Sequence, residues 1–274
     1  MKLFKKIGKG LLVAALWIGV WFKKIGKGLA IAALWIGVWY AVWAIVGMPL
    51  LFPSPWAVLK KLFELMGTGA FYIATATSLW NVTKGLLIGI ALGCLLSALT
   101  ALVPLVGDFL RPFMTVVKTT PVASFIILLL LFAGAAKTPS LVTILIVLPI
   151  VWSNLDEGLR RIDPKLREVA TVYRFPLKKR LTLLVFPSVL PYFSSALKSA
   201  LGLAWKAGVA AEIIAMPKGT IGTQIGNAKL YLESTDLFAW TLTVILLSFA
   251  IEFALSKLLD RLFRTERRPS HASI

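Results

Sequence analysis

The chain has 274 residues, of which 58% are hydrophobic, and its formal net charge at pH 7 is +18. Soluble domains are about 45–50% apolar, so this composition excludes a soluble protein. The basic residues lie at the ends of apolar runs, where lipid headgroups attract them, and no separate basic domain is present to bind nucleic acid. The composition predicts an all-α, polytopic membrane protein of about six transmembrane helices.

The N-terminus contains a tandem repeat. Residues 4–21 and 22–39 are identical at sixteen of eighteen positions, and two copies are too few for a repeat architecture. The apolar part of the first copy has eleven residues, fewer than the ~20 that a transmembrane helix needs. We predict that residues 1–28 form a basic amphipathic segment on the cytoplasmic interface and that residues 29–46 form the first span. A signal peptide formed by the first copy is the alternative, although no small-residue cleavage site follows it.

Five further apolar runs follow the first span. A turn-rich stretch and a short amphipathic helix, residues 56–66, separate the first run from the second. We predict a transmembrane domain at residues 29–262, followed by a basic cytoplasmic tail at residues 263–274. The five runs predict transmembrane helices at residues 85–107, 119–136, 138–155, 192–216 and 237–253.

Four segments carry an excess of Lys and Arg: the N-terminus, a predicted loop at residues 108–118, a charged island at residues 156–180, and the tail. Six spans put all four on the same side of the membrane, and the positive-inside rule assigns that side to the cytoplasm. We therefore predict that both termini are cytoplasmic.

The charged island begins with a helix-start signal. Asp163 is a favoured N-cap residue and Pro164 suits the first helical position. Apolar residues then recur at helical spacing until Pro176, which is predicted to end the helix. A second basic helix is predicted from residue 177 to residue 186. A solvated loop beside the membrane is one interpretation of this island.

A second interpretation rests on spacing within the island. The residues Glu168-Val169-Ala170, then Arg174, then Pro187 resemble the EAA loop of bacterial ABC-importer permeases. That loop has Glu-Ala-Ala, a Gly four residues after the second Ala, and a Pro seventeen residues after that Ala. Glu168, Ala170 and Pro187 match the spacing, whereas Val169 replaces an Ala and Arg174 replaces the Gly. Since Arg adopts φ > 0 less readily than Gly, the turn is expected at Phe175-Pro176 instead.

The resemblance extends to residues 202–225. This segment is similar to the one that follows the EAA loop in permeases of the nitrate, sulfonate and taurine type. The shared features are an aromatic–basic pair, an Ala-Glu pair and a Gly-rich turn, here Trp205-Lys206, Ala211-Glu212, and Gly219 with Gly222.

The resemblance implies a type I ABC-importer permease fold in the bacterial inner (plasma) membrane, with a cytoplasmic coupling helix. The chain would be a non-catalytic transport subunit that works with ABC ATPase subunits, an extracytoplasmic solute-binding protein and a second copy of itself. The solute would be a small one, such as a sulfonate, taurine, nitrate or a vitamin precursor. Glu168 would offer a carboxylate to the ATPase, Ala170 would allow close approach of the backbones, and Pro187 would fix the angle at which the loop joins the fifth span.

Three polar residues within or beside the spans are candidates for the translocation path. Lys206 lies near the middle of the fifth predicted span, and Glu212 lies about 120° further round the same helix at ~100° per residue, so the two are not expected to pair. Asn81 either caps the second span or lines the path. In the functional interpretation Lys206 faces the path and attracts an anion; in the structural one Lys206 and Glu212 each bind a partner on a neighbouring helix.

Gly85, Gly89 and Gly93 are spaced by four residues in the second predicted span. This spacing permits close helix packing, either within the chain or across a dimer.

Two other classes of protein fit the sequence less well. A membrane-embedded enzyme would need a polar catalytic cluster, whereas the single histidine, His271, lies in the tail and no paired carboxylates occur mid-span. An ion-coupled secondary transporter or channel is the alternative, but no inverted repeat or filter motif is evident. The chain has no GxxxxGK[ST] loop, and we predict neither a cofactor nor a metal site.

Overall fold

The computed structural model describes Gly26 and residues 28–263, so nearly all of the predicted segment 1–28 and residues 264–274 lie outside the described part of the chain. The described residues form helices and contain no β-strand. The helices are α1 (Gly28–Val46), α2 (Pro55–Met66), α3 (Gly69–Leu102), α4 (Pro104–Thr119), α5 (Val122–Ala133), α6 (Thr138–Arg160), α7 (Pro164–Val172), α8 (Leu177–Arg180), α9 (Phe186–Ala215), α10 (Ile221–Leu230) and α11 (Ser234–Phe263).

Five helical stretches in the described part are long and apolar enough to cross a membrane. They are α1, α3, α6, the run from α8 through α9, and α11; the bent pair α4 and α5 makes a sixth if it is counted as one span. The predicted all-α membrane fold of about six spans is therefore confirmed.

The second span is longer than its apolar run indicated. α3 begins at Gly69, well before the predicted start at Gly85, because the Thr68 hydroxyl caps the helix by accepting a hydrogen bond from the Phe71 N–H. Its 34 residues measure about 51 Å at ~1.5 Å per residue, so α3 extends beyond the ~30 Å hydrocarbon layer. Asn81 lies inside α3, so its interpretation as a cap was wrong.

The predicted loop at residues 108–118 is a helix, and the third span is not straight. α4 and α5 meet at an angle of 101°. The bend follows from Pro121, which has no N–H and disfavours helical geometry at the preceding Thr120, whose ψ is 133°. The Thr120 hydroxyl donates to the Val116 carbonyl at 2.7 Å and so satisfies an acceptor at the end of α4.

α6 is the central helix of the bundle. It packs most extensively against α3 and α9. In an 18-residue apolar stretch of α6, 56% of the residues are buried, compared with 0% in such a stretch of α1. α6 continues through Pro149 as one helix. On α9, Ala196, Ala200 and Ala204 are fully buried at a spacing of four residues, and their small side chains permit close helix contact.

The glycine stripe of α3 packs against α6 within the same chain. A Cβ atom on Gly89 would lie 2.8 Å from the Val147 Cβ, and one on Gly93 would lie 2.8 Å from the Val151 Cβ. Gly85 meets Thr143 in the same way, so the register is Gly85–Thr143, Gly89–Val147 and Gly93–Val151. The stripe therefore serves packing within the chain, which was one of the two interpretations of its spacing.

The second basic helix and the fifth span form one helical run. α8 passes through a π-helical turn, Leu181–Val185, directly into α9, whereas the sequence predicted a helix at residues 177–186 and a separate span from residue 192. Pro187 has no N–H to donate to the Leu183 carbonyl, which favours the wider π turn at this point.

The stretch between the predicted fifth and sixth spans, residues 217–236, contains α10, which the sequence did not predict. Met216 and Gly219 take left-handed conformations, with φ of 50° and 71°, and turn the chain so that α10 packs back on α9. The short amphipathic helix α2 was predicted correctly. Lys61 of α2 lies 2.9 Å from the Asp236 carboxylate at the start of α11, and this hydrogen bond raises the pKa of Lys61.

The contact between α3 and α6 can be tested with Gly89→Ala. The added Cβ would overlap Val147, so we expect the free energy of unfolding in detergent to fall by about 1–3 kcal/mol. Gly37→Ala in α1 is the matched control, because a Cβ there meets no atom within 4 Å. Equal thermal unfolding midpoints for the two variants would contradict the packing.

Candidate functional site

α7 begins as the sequence predicted. The Asp163 carboxylate accepts a hydrogen bond from the Lys165 N–H at 2.9 Å, and Pro164 occupies the first turn. The helix ends at Val172, before the predicted end at Pro176.

The end of α7 is closed at Arg174. The Phe175 N–H donates to the Ala170 carbonyl at 2.9 Å and the Arg174 N–H donates to the Thr171 carbonyl at 3.0 Å. This pair of bonds is the Schellman motif, which needs a left-handed residue, and Arg174 has a φ of 48°. The expectation that Phe175-Pro176 would replace a left-handed turn was therefore wrong. Arg174 adopts the conformation that a Gly would adopt at lower cost.

Two arginines attach α7 to its own chain. The Arg167 guanidinium donates to the Leu159 carbonyl at the end of α6 at 2.6 Å, and Arg180 of α8 donates to the Thr171 hydroxyl at 3.1 Å. Ala170 is 2% exposed and packs inward, so its small side chain serves contact within the chain. α7 is thus held from both of its neighbouring helices.

The opposite side of α7 faces outward. At ~100° per residue, Glu168, Val169 and Val172 lie on the side away from Arg167 and Ala170. Val169 is 45% exposed, Val172 is 77% exposed, and Glu168 is also exposed. A carboxylate flanked by two exposed valines is available on this face, which we call the outer face of α7. Pro187 lies in the first turn of α9 and is exposed.

A second group of polar residues lies far from α7, where α3, α9 and α10 meet. Glu212 is 0% exposed. Its Oε2 atom accepts hydrogen bonds from the Ser78 hydroxyl at 2.6 Å and from the Gly222 N–H at 3.3 Å, and its Oε1 atom accepts one from the Asn81 amide at 3.4 Å. The structure thus brings together two of the predicted residues, Asn81 and Glu212, and adds Ser78 and the start of α10.

Lys206 does not belong to this group. Lys206 is exposed on α9, whereas its neighbour Trp205 is 2% exposed and donates to the Val244 carbonyl of α11 at 3.2 Å. The aromatic–basic pair is therefore divided between the core and the surface of the chain.

Sequence reasoning missed Ser78 and the N-terminus of α10. Ser78 and Asn81 lie three residues apart in a long apolar helix, and this i, i+3 polar pair was a signal that both face one partner. Ser140 of α6 donates to the Asn81 carbonyl at 3.0 Å and extends the polar group to the central helix. Within the described residues, no group of three or more His, Cys, Asp or Glu side chains is arranged to hold a metal ion.

The architecture matches membrane subunits of known transporters. The fold is similar to a chain in the crystal structure of an amino acid ABC transporter with histidines, with a TM-score of 0.59, 16% identity, and coverage of 74% of this chain and 97% of that one. It is also similar to a chain of the inward-facing MetNI methionine ABC transporter, with a TM-score of 0.52, 15% identity, and coverage of 76% and 97%. The fold is therefore that of ABC-importer permeases.

The family follows from the sequence. The family described as binding-protein-dependent transport system inner membrane component matches residues 85–265, about two thirds of the chain. The chain belongs to this family and is a multi-pass inner-membrane transport permease.

Curated relatives are similar over most of the chain. The taurine transport system permease protein TauC of Escherichia coli K12 is 26% identical to this chain, and the match covers 78% of this chain and 80% of TauC. SsuC of Bacillus subtilis 168, provisionally named an aliphatic sulfonates transport permease, is 26% identical, covering 73% and 74%. The nitrate import permease protein NrtB of Synechococcus elongatus PCC 7942 is 29% identical, covering 62% of each chain. The predicted resemblance to permeases of this branch is confirmed.

The strain at Arg174 gives a test of the loop geometry. Because Gly adopts the left-handed conformation without a Cβ clash, Arg174→Gly should raise the free energy of unfolding by about 1 kcal/mol. Lys179→Gly, in the helical run that follows, should lower it by a similar amount. Thermal unfolding in detergent measures both, and a loss of stability in Arg174→Gly would show that the turn differs.

Proposed function

We propose that the chain is the permease subunit of an ATP-driven importer of a small anionic solute, and that α7 is its coupling helix. The single observation that carries this proposal is the outer face of α7: a capped helix, held at both ends by its own chain, presents a carboxylate and two valines that no described residue covers. Family membership supports ATP-driven import over the ion-coupled alternative.

The outer face of α7 has the composition of a helix that docks in a groove. Such helices bind through a few apolar anchors, and a flanking carboxylate adds charge-assisted hydrogen bonds. Val169 and Val172 would be the anchors, and Glu168 would accept hydrogen bonds from donors on an ABC ATPase subunit. This arrangement would give the two exposed valines beside Glu168 a partner surface.

Movement of α7 would reach the membrane through α8 and α9. Arg180 ties α7 to α8, and the helical run from Leu177 to Ala215 is 39 residues long, or about 58 Å at ~1.5 Å per residue. A helix of this length transmits a displacement at one end to the other. Closure of two ATPase subunits on ATP would then tilt α9 and bias which side of the path is open.

The chemistry of the solute is inferred from the relatives and from Lys206. Aliphatic sulfonates, taurine and nitrate, which are named for the transport systems of three relatives, all carry an anionic group. An exposed Lys in the second half of α9 would cost about 2.5–3.5 kcal/mol if it faced lipid at the membrane centre. A water-filled path between two copies of the permease avoids this cost and attracts an anion. A solute-binding protein outside the membrane would deliver the solute.

Asn81 and Glu212 fit the structural interpretation better than the path interpretation. Both are buried within one chain, at 7% and 0% exposure, and they bind each other rather than facing a surface. We therefore assign only Lys206 to the path.

Glu168→Ala tests the coupling helix. Loss of one charge-assisted contact at the centre of an interface should weaken ATPase binding by roughly tenfold and lower ATP-dependent uptake into vesicles, with unchanged permease folding. Glu64→Ala in α2 is the matched control, because Glu64 is an exposed carboxylate whose only described ion pair, with Lys60, is 4.0 Å long. Undiminished ATPase binding and uptake in Glu168→Ala would refute the docking role.

Lys206→Met tests the anion path. Removing the charge should lower uptake of a radiolabelled sulfonate or nitrate by roughly tenfold to a hundredfold, while copurification with the ATPase is unchanged. Lys218→Met, at an exposed position after α9, should leave uptake unchanged. Equal uptake by the two variants would remove Lys206 from the path.

A further inference from the structure

We propose that Glu212 and Ser78 act together as a buried cap on α10, which makes α3, the end of α9 and α10 one rigid unit. This assigns Glu212 and Ser78 as positioning residues and deepens the proposed function, on which its transport consequence rests.

The first three N–H groups of α10 have no partner within the helix, as at any helix start. The Ile221 N–H donates to the Ser78 hydroxyl at 2.9 Å, the Gly222 N–H donates to the Glu212 carboxylate at 3.3 Å, and the Thr223 N–H donates to the hydroxyl of the N-cap residue Thr220 at 3.3 Å. Two of the three donors are therefore satisfied by side chains from other helices. α10 is closed by α3 and α9 rather than by its own sequence alone.

The directions of these bonds fit an ionised Glu212, which accepts at both of its oxygens. The Ser78 oxygen accepts from the Ile221 N–H, so its single proton is free to donate to Glu212. The carboxylate accepts from Ser78, Gly222 and Asn81, and each of these partners acts as a donor. The partial positive charge at the N-terminus of α10 favours the same ionised state.

The backbones of α9 and α10 touch at this point. A Cβ atom on Gly222 would overlap the Cβ of Glu212 and lie 2.6 Å from the Ile213 backbone nitrogen. Only Gly brings the N–H of α10 close enough to the carboxylate. The glycine therefore allows the two helices to approach, and the carboxylate stabilises that approach by accepting the Gly222 N–H.

The cap would couple the movement of α10 to that of α9. The end of α9 lies on the helical run that begins beside α7, so a displacement of α9 would carry Glu212 with it. Because Glu212 and Ser78 hold α10, α10 would follow α9 instead of sliding along it. The cap would keep α3, α9 and α10 in register while the path opens and closes.

Hydrogen–deuterium exchange of the permease in lipid nanodiscs tests the cap. Glu212→Ala and Ser78→Ala should each raise the exchange rate in peptides that cover α10 by roughly tenfold to a hundredfold, the value of one charge-assisted hydrogen bond. In the double variant, the fold-increase in exchange should be larger than in either single variant but smaller than the product of the two single-variant increases. This is expected because Ser78 bonds to both Glu212 and Ile221. Glu252→Ala, at an exposed carboxylate of α11, should leave α10 unchanged.

The outcomes separate the possibilities. Unchanged α10 exchange in Ser78→Ala, which removes only one hydroxyl and is expected to fold, would overturn the cap even if Glu212→Ala did not fold. Multiplicative effects in the double variant would overturn joint action. Glu212→Gln should raise exchange less than Glu212→Ala, since its amide oxygen can still accept from Ser78; an equal rise would overturn a role for the hydrogen bonds.

A distance measurement tests the shared movement. In a Cys94→Ser background, spin labels at Ile214 of α9 and Lys229 of α10 should keep one distance in the assembled transporter with and without ATP. In Ser78→Ala the distance distribution should broaden on ATP binding. A change of this distance in the native sequence would overturn the rigid unit, whereas an absence of any ATP response at α7 would count against the proposed function instead.

Discussion

The contact between the Glu212 carboxylate and the start of α10 is the interaction on which the arrangement of α3, α9 and α10 depends. A carboxylate at 0% exposure among apolar helices is costly unless donors surround it. Glu212 receives three donors from two other helices, together with the partial charge at a helix end. The same contact satisfies the Gly222 N–H of α10, which would otherwise be buried without a partner. The carboxylate and the helix N-terminus thus each remove the cost of burying the other.

Small residues make this polar junction possible. In a membrane, helices gain little from apolar burial, and close van der Waals contact drives their association. The glycine stripe of α3 fits against Thr143, Val147 and Val151 of α6, and the buried alanines of α9 bring that helix near. Gly208 of α9 approaches Val82 of α3 in the same way, since a Cβ there would lie 2.6 Å from a Val82 methyl group. The helices are thus near enough for short side chains such as Ser78 to reach a neighbour.

The helical run from α8 through α9 connects the two polar groups. At one end, α7 is held by Arg167 and Arg180 and presents Glu168 outward. At the other end, Glu212 holds α10. A π-helical turn beside Pro187 interrupts the α-helical geometry of this run, and it keeps the chain helical where a proline removes a backbone donor. In the proposed function, this helical run is the stiff connection between the outer face of α7 and the translocation path.

The sequence by itself determined the features that depend on neighbouring residues. Apolar runs gave the membrane class and about six spans, Asp163 and Pro164 gave the start of α7, and the spacing of Glu168, Ala170 and Pro187 gave the family. Tertiary structure decided the rest. The bend at Thr120, the early start of α3 and the existence of α10 depend on how helix ends are satisfied, and Arg174 is left-handed because the end of α7 requires it. Ser78 and Glu212 are 134 residues apart in the chain, so only the packing of α3 against α9 could bring a hydroxyl to that carboxylate.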